Sequence, residues 1–209
     1  MKKKVYIFDF DGTVTTADTL LLFIRYACGT WRFVLGFALF SPLLVLMKLG
    51  LYPNYKAKRH IFSWYFRGMA LSRFDGLCRA FAAANAGIVR PGALSLLKRL
   101  FAEGADVMVV SASVDNWVAP FFIGLADGST SRFAVEGTRV EVAGGVLTGR
   151  FVTHNCYGPE KVARVRAHYP DRSACHIVAF GDSRGDRELL AYADEAHYRP
   201  FRDGSDNVV

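Results

Sequence analysis

Cysteine is scarce, and the four present are poorly placed for pairing. Cys28, Cys78, Cys156 and Cys175 stand far apart in a chain of 209 residues. They have neither the spacing of a zinc module nor the density of a disulfide scaffold, and they suit a reduced, intracellular compartment. Acidic residues are nearly missing from one stretch. Between Val14 and Gly92 only Asp18 and Asp75 face ten Lys and Arg, a net +8, whereas the remainder of the chain is close to neutral. Such asymmetry implies two modules with different partners, and an anionic membrane, a nucleic acid or a phosphorylated substrate would each satisfy it. No internal repeat is visible. The basic start Met1-Lys2-Lys3-Lys4 leads only into Val5–Phe8, too short an apolar run for a secretory signal, so none is expected. What the chain does have is core material. It is 52% hydrophobic and 22% charged, with 17 Phe, which excludes a disordered chain and fits one domain carrying a large insertion.

Lys4–Phe8 reads as a buried strand stopped by Asp9-Phe10-Asp11-Gly12. From Asp18 to about Gly87 apolar residues recur at helical spacing, which predicts helices near 18–28, 31–50, 55–67 and 72–86. Beyond Arg90-Pro91-Gly92 the pattern changes to strands alternating with helices. A helix is expected over Ala93–Glu103, a strand over Val107–Val110 ending at Ser111, and a helix over about Val114–Ala126. Two or three short strands should follow between Arg132 and Val152, turning at Ala143-Gly144-Gly145. Then come a helix at Pro159–His168, a strand at His176–Phe180, a helix at Arg184–Tyr192 and a last strand at Glu195–Tyr198, while the tail Arg202–Asn207 should fray. Apolar strands alternating with helices predict an α/β fold with a parallel sheet covered on both faces.

In such sheets ligands gather beyond the carboxyl ends of the strands. Three strands end there in polar residues: Asp9 and Asp11, Ser111, and Asp182. Asp9 and Asp11 leave an extended segment on the same side, and two such close carboxylates call for a cation or a shared proton. Mg²⁺ suits hard oxygen ligands, and Asp9 could attack phosphorus while Asp11 handles protons. The plainer reading is an Asp-Gly turn. In Gly181-Asp182-Ser183-Arg184-Gly185-Asp186, Asp182 could complete the metal site and Asp186 orient a metal-bound water, or the cluster could simply cap a helix. Ser111 could hold a phosphate oxygen or be an ordinary N-cap. Lys161, in Gly158-Pro159-Glu160-Lys161, could neutralise a phosphoryl group or be solvated.

Taken in order, Asp9-Phe10-Asp11-Gly12-Thr13, Ser111, Lys161 and Gly181-Asp182 with Asp186 resemble the four motifs of the haloacid dehalogenase (HAD) superfamily, over essentially the whole core. The helical insertion after the first motif, Val146-Leu147-Thr148-Gly149-Arg150 and Gly158–Lys161 are similar to its subfamily IB, the C1-capped, phosphoserine-phosphatase-like branch. The resemblance implies a Rossmann-like core of residues 1–15 and 88–209, a helical C1 cap of residues 16–87 and a small β-hairpin. It implies an aspartyl-phosphate on Asp9, with Asp11 as general acid and base. Mg²⁺ would be held by Asp9, the Asp11 backbone carbonyl and Asp182, and substrate by Ser111, Ala112 and Lys161. Asp18 stands near the place of the glutamate that holds the phosphoserine ammonium. Arg59 lies only near the place of the arginine that holds its carboxylate, and Ala112-Ser113 replaces a Gly-Gly pair.

Phe33–Met47 is apolar but for Ser41 and Pro42, about 22 Å as a helix and short of the ~30 Å hydrocarbon core. A single crossing would part Asp9 from Ser111, so three roles remain open: cap core, oligomer contact or a hairpin dipping into one leaflet. Lys56, Lys58, Arg59 and Arg67 beside it favour an anionic leaflet, and the cap is similar to that of C-type phosphatidylglycerophosphatases. The expected function is therefore a Mg²⁺-dependent phosphomonoesterase, cytoplasmic and peripheral at the inner membrane face, acting on a lipid phosphate or a small soluble phosphate. A non-catalytic membrane or nucleic-acid binder on the same scaffold is the rival. No nucleic-acid partner is expected for the enzyme, and the oligomeric state is left open.

Overall fold

In a computed structural model, residues 2–126 and 132–202 are described. The sheet has five parallel strands in the order β3-β2-β1-β6-β7. They are β1 (Lys3–Phe8), β2 (Asp106–Val114), β3 (Phe133–Thr138), β6 (Cys175–Gly181) and β7 (Glu195–Tyr198). β1 lies at the centre, and its period of two sends Val5 and Ile7 to one face, Tyr6 and Phe8 to the other. Both faces are covered, as apolar strands require. Val5 and Ile7 pack with Val165 of α6 (Pro159–His168) and Leu189 of α7 (Arg187–Tyr192). Phe8 joins Leu97 and Leu100 of α4 (Pro91–Ala102) in a larger cluster.

That larger cluster continues into the helices between β1 and α4. These are α1 (Thr19–Lys48), α2 (Asn54–Phe66) and α3 (Leu71–Ala84). Phe23, Phe62, Phe66, Phe74 and Phe81 interlock there, and Trp117 of the short α5 (Asp115–Val118) stacks on Phe23. The chain leaves for these helices at Thr15 and returns at Val89, which bridge each other side by side. α1 is two helical segments. Gly29 adopts φ 79°, ψ 159°, which breaks the helix where Cys28-Gly29-Thr30 predicted a stop. The hairpin β4 (Val140–Ala143) and β5 (Val146–Phe151) docks on α2 and the start of α3, with Leu147 and Met69 bonded through their backbones.

Two expectations fail beyond Ser111. β2 runs on to Val114, because after a shift in register Val114 pairs with Thr138 of β3. Ser111 therefore sits inside a strand and caps no helix. The helix expected over Val114–Ala126 is only the four residues of α5, since Pro120 two residues on removes a backbone donor. Its last residues reach Ala126, where the described segment ends. Of the tail, Arg202 is ordered against Asp182 at 2.7 Å, contrary to expectation, and residues 203–209 lie outside the described residues.

Candidate active site

Asp9 ends β1 and is buried. Its amide donates to the Phe180 carbonyl at the end of β6, which ties the first and last motifs together. Thr13 donates to one carboxylate oxygen at 3.0 Å and the Lys161 ammonium to the other at 2.5 Å. Lys161, 2% exposed, also bonds Asp186 at 2.5 Å, so it is not one of the solvated lysines common on helices. The second Asp186 oxygen accepts from the amides of Asp182 and Ser183 and from the Ser183 hydroxyl. Asp186 thus both caps the turn and fixes Lys161.

Asp9, Asp182 and Asp186 each place one oxygen within 4.8 Å of the others, the kind of cluster that could hold a metal ion. Gly12 allows this closeness. It turns with φ 81°, and a β-carbon there would stand 2.5 Å from an Asp182 carboxylate oxygen. Three carboxylates facing Lys161 and Arg202 still leave an excess of negative charge. Burial pushes the Asp9 carboxyl up to about 7, against the pull of Lys161. Asp182 is also held above the ordinary range by burial and by Asp186. For Asp186, burial works the same way, but the Lys161 ammonium wins and keeps it below. Hard, crowded, incompletely neutralised oxygens are what Mg²⁺ binds.

The Asp11 side chain turns away from this cluster toward α1. One oxygen accepts from the Thr19 amide and hydroxyl at 2.8 and 2.6 Å. The other accepts from Ser113 at 2.6 Å and more distantly from Ser111 at 3.3 Å. Asp18 is the N-cap of α1 through the Leu20 amide. Asp9, Asp11, Asp18, Ala112 and Lys161 share one pocket of about 200 Å³.

Sequence reasoning missed Lys58. It was assigned with its basic neighbours to an anionic leaflet, but it is 8% exposed and turned inward over the pocket. Its ammonium donates to the Ala112 carbonyl and, at 3.1 Å each, to Thr138 and Asn155, so it ties α2 to the sheet. Burial pulls it down to about 8, although Asp11 opposes this. Thr19, Ser113 and Asn155 were missed as well, and no role was given to Thr13, although it closes the first motif. Ser113 carried a signal, lying two residues from Ser111.

Parallel strands, a carboxylate pair after β1, a buried lysine and a carboxylate turn after β6 define an α/β protein with an acidic site at the carboxyl edge of its sheet. The model of the haloacid dehalogenase-like hydrolases matches residues 6–191, and the chain belongs to that family. Protein CicA of Caulobacter vibrioides is 35% identical over 199 residues, covering 93% of this chain and 85% of that one. Among solved structures, a protein of unknown function from Bordetella pertussis Tohama I superposes with a TM-score of 0.77 at 16% identity, covering 91% of this chain and 87% of that one. A phospho-aspartyl intermediate analogue of phosphoserine phosphatase reaches 0.57 at 20% identity, covering 92% and 84%.

Proposed function

We propose that this hydrolase is a Mg²⁺-dependent phosphomonoesterase that works through an aspartyl-phosphate on Asp9, with residues 16–87 as a C1-type cap over a core of residues 1–15 and 88–209. The observation that carries the reading is Asp9 held between Lys161 and an open pocket. An Asp9 oxygen attacks phosphorus, the ester P–O bond breaks, and Asp11 gives its proton to the departing alkoxide. Asp11 then takes a proton from water, whose oxygen attacks the same phosphorus. The P–O bond to Asp9 breaks and inorganic phosphate leaves. Lys161, Ser111 and the Ala112 backbone hold phosphoryl oxygens, while Asp186 keeps Lys161 in place. Asp9, Asp182 and the Asp11 backbone carbonyl would hold Mg²⁺, which supplies charge neutralisation at the phosphoryl group when bound. Asp18 remains available to a polar substrate group at the pocket rim.

The substrate side of the proposal is a membrane-resident phosphate. Only 6% of the most apolar window of α1 is buried. Val34, Leu35, Leu39, Val45, Leu46 and Leu49 are all exposed large apolar residues, with Arg32 and Lys48 at the ends. This stripe would sit in an anionic leaflet without crossing it, because Asp18 and Lys58, on either side of the run, meet at one pocket. Turnover of p-nitrophenyl phosphate with Mg²⁺, abolished by EDTA, tests the phosphatase reading. Its absence would favour a binding protein on a hydrolase scaffold. Co-sedimentation with anionic liposomes that falls with salt tests the docking. A monomer that ignores such vesicles would point to a soluble phosphate instead.

A further inference from the structure

The inner face of α1 carries a feature that membrane docking does not use. Phe33, Gly36, Phe40, Leu44 and Met47 recur at helical spacing on the side that faces the cleft, with the half-exposed Phe37 at its edge. Together with Leu20, Ile24 and Ile61 they wall an apolar cleft of about 280 Å³. One end of that cleft is polar, formed by Asp18, Asn54 and Lys58, and these residues with Leu20 also line the pocket around Asp9. The two spaces therefore meet. Tyr65, which also lines the cleft, donates to the Arg32 and Phe33 carbonyls and so ties α2 to α1. A β-carbon on Gly36 would run into the Tyr65 hydroxyl, so the wall is already at contact there. Elsewhere the cap is packed ring against ring, and unfilled apolar space in such an interior is costly. The larger cavity beside Lys58 mixes charged Arg59, Glu160 and Arg164 with Tyr55, Phe151 and Tyr157, so it lacks the continuous apolar wall of the cleft.

We infer that this cleft holds the hydrocarbon chain of the substrate while its phosphate lies at Asp9 and its polar linker passes Asp18 and Lys58. The inference rests on the phosphatase reading and narrows it to phosphomonoesters of single-chain amphiphiles. An apolar cavity of about 150 Å³ takes one benzene ring, so the cleft has room for roughly ten chain carbons. The enzyme then draws the chain out of the leaflet into its own cap.

The test is a series of n-alkyl phosphates from ethyl to decyl, kept below their aggregation concentrations, assayed with Mg²⁺. kcat/KM should rise about fourfold per methylene and level off once the cleft is full. Ile61→Trp, on α2 and away from the exposed stripe, should bring the plateau to shorter chains and cut the decyl-to-ethyl ratio at least tenfold. Leu44→Trp should do the same from the opposite wall, so that one variant failing to fold leaves the other. Binding of the matching alkylphosphonates, which are not cleaved, gives a readout independent of turnover. Kd should fall with chain length and lose that trend in both variants. A flat dependence of Kd on chain length overturns the cleft assignment whatever the activity. Chain-dependent binding without turnover of any phosphate overturns the phosphatase reading and leaves the cleft standing.

Discussion

The two ends of helix α1 live by opposite rules. At its start, near the sheet, polar groups are answered from within the chain: Asp11 by Thr19 and Ser113, Lys161 by Asp9 and Asp186. Along its second half the outer apolar face is answered by nothing among the described residues. The first pattern fixes a geometry, because a buried charge left unpaired costs several kcal/mol. The second fixes an affinity, because exposed apolar area is favourable only once something covers it. One region is closed chemistry and the other is open surface.

Breaking the closed end should have the largest effect. Asp9→Asn is expected to abolish turnover and the hydroxylamine-labile ³²P label on the protein, while circular dichroism stays native; near-normal kcat would refute Asp9 as nucleophile. Asp11→Asn should lower kcat by ~10²–10⁴, the usual span for proton transfer. Lys161→Ala should suppress turnover too. It should also cost about 3–5 kcal/mol in urea unfolding, since it strands two buried carboxylates. Lys56→Ala should match wild type on p-nitrophenyl phosphate.

Breaking the open end should spare the fold and act only at membranes. Leu35→Ser, Leu39→Ser and Leu46→Ser together remove three exposed side chains, at ~1.5–3 kcal/mol of lost insertion each when fully buried. Vesicle affinity should drop by about a thousandfold or more, with unfolding midpoints nearly unchanged.

The smallest effect sharpens the contrast away from both. Burial alone would raise Glu136, but a hydrogen bond with His168 and the charges of Arg139 and Arg164 hold its carboxyl below the ordinary range. A group so depressed stabilises the fold above the ordinary carboxylate range, and that contribution disappears as pH falls through the lowered folded value. Glu136→Gln should therefore show a shallower loss of stability between neutral and acid pH than wild type.

Much of this contrast was legible in the residues. The stop at Cys28-Gly29-Thr30 and the strand at Glu195–Tyr198 follow from local pattern and turn chemistry, whereas the four motif positions stand out only through their resemblance to the HAD family. Lys58 was not legible, because nothing local distinguishes a lysine tied to Ala112 and Asn155, far away in sequence, from its solvated neighbours Lys56 and Arg59. Ser111 was placed at a helix start because strand ends are read from apolar runs, and the pairing that carries β2 on to Val114 is non-local. The cleft depends on which face of an all-round apolar helix meets α2, a choice that periodicity cannot make.

The central position of β1 also sets a schedule. Val5 pairs with Asp106 and Lys3 with Cys175, so β1 leaves the ribosome about a hundred residues before either neighbour. At roughly 5–20 residues per second, the hundred residues up to β2 take ~5–20 s. α1 is complete well before then, with neither sheet nor hairpin behind it. Every newborn chain therefore passes through an interval in which its most apolar segment has left the ribosome while both neighbours of β1 are still to come.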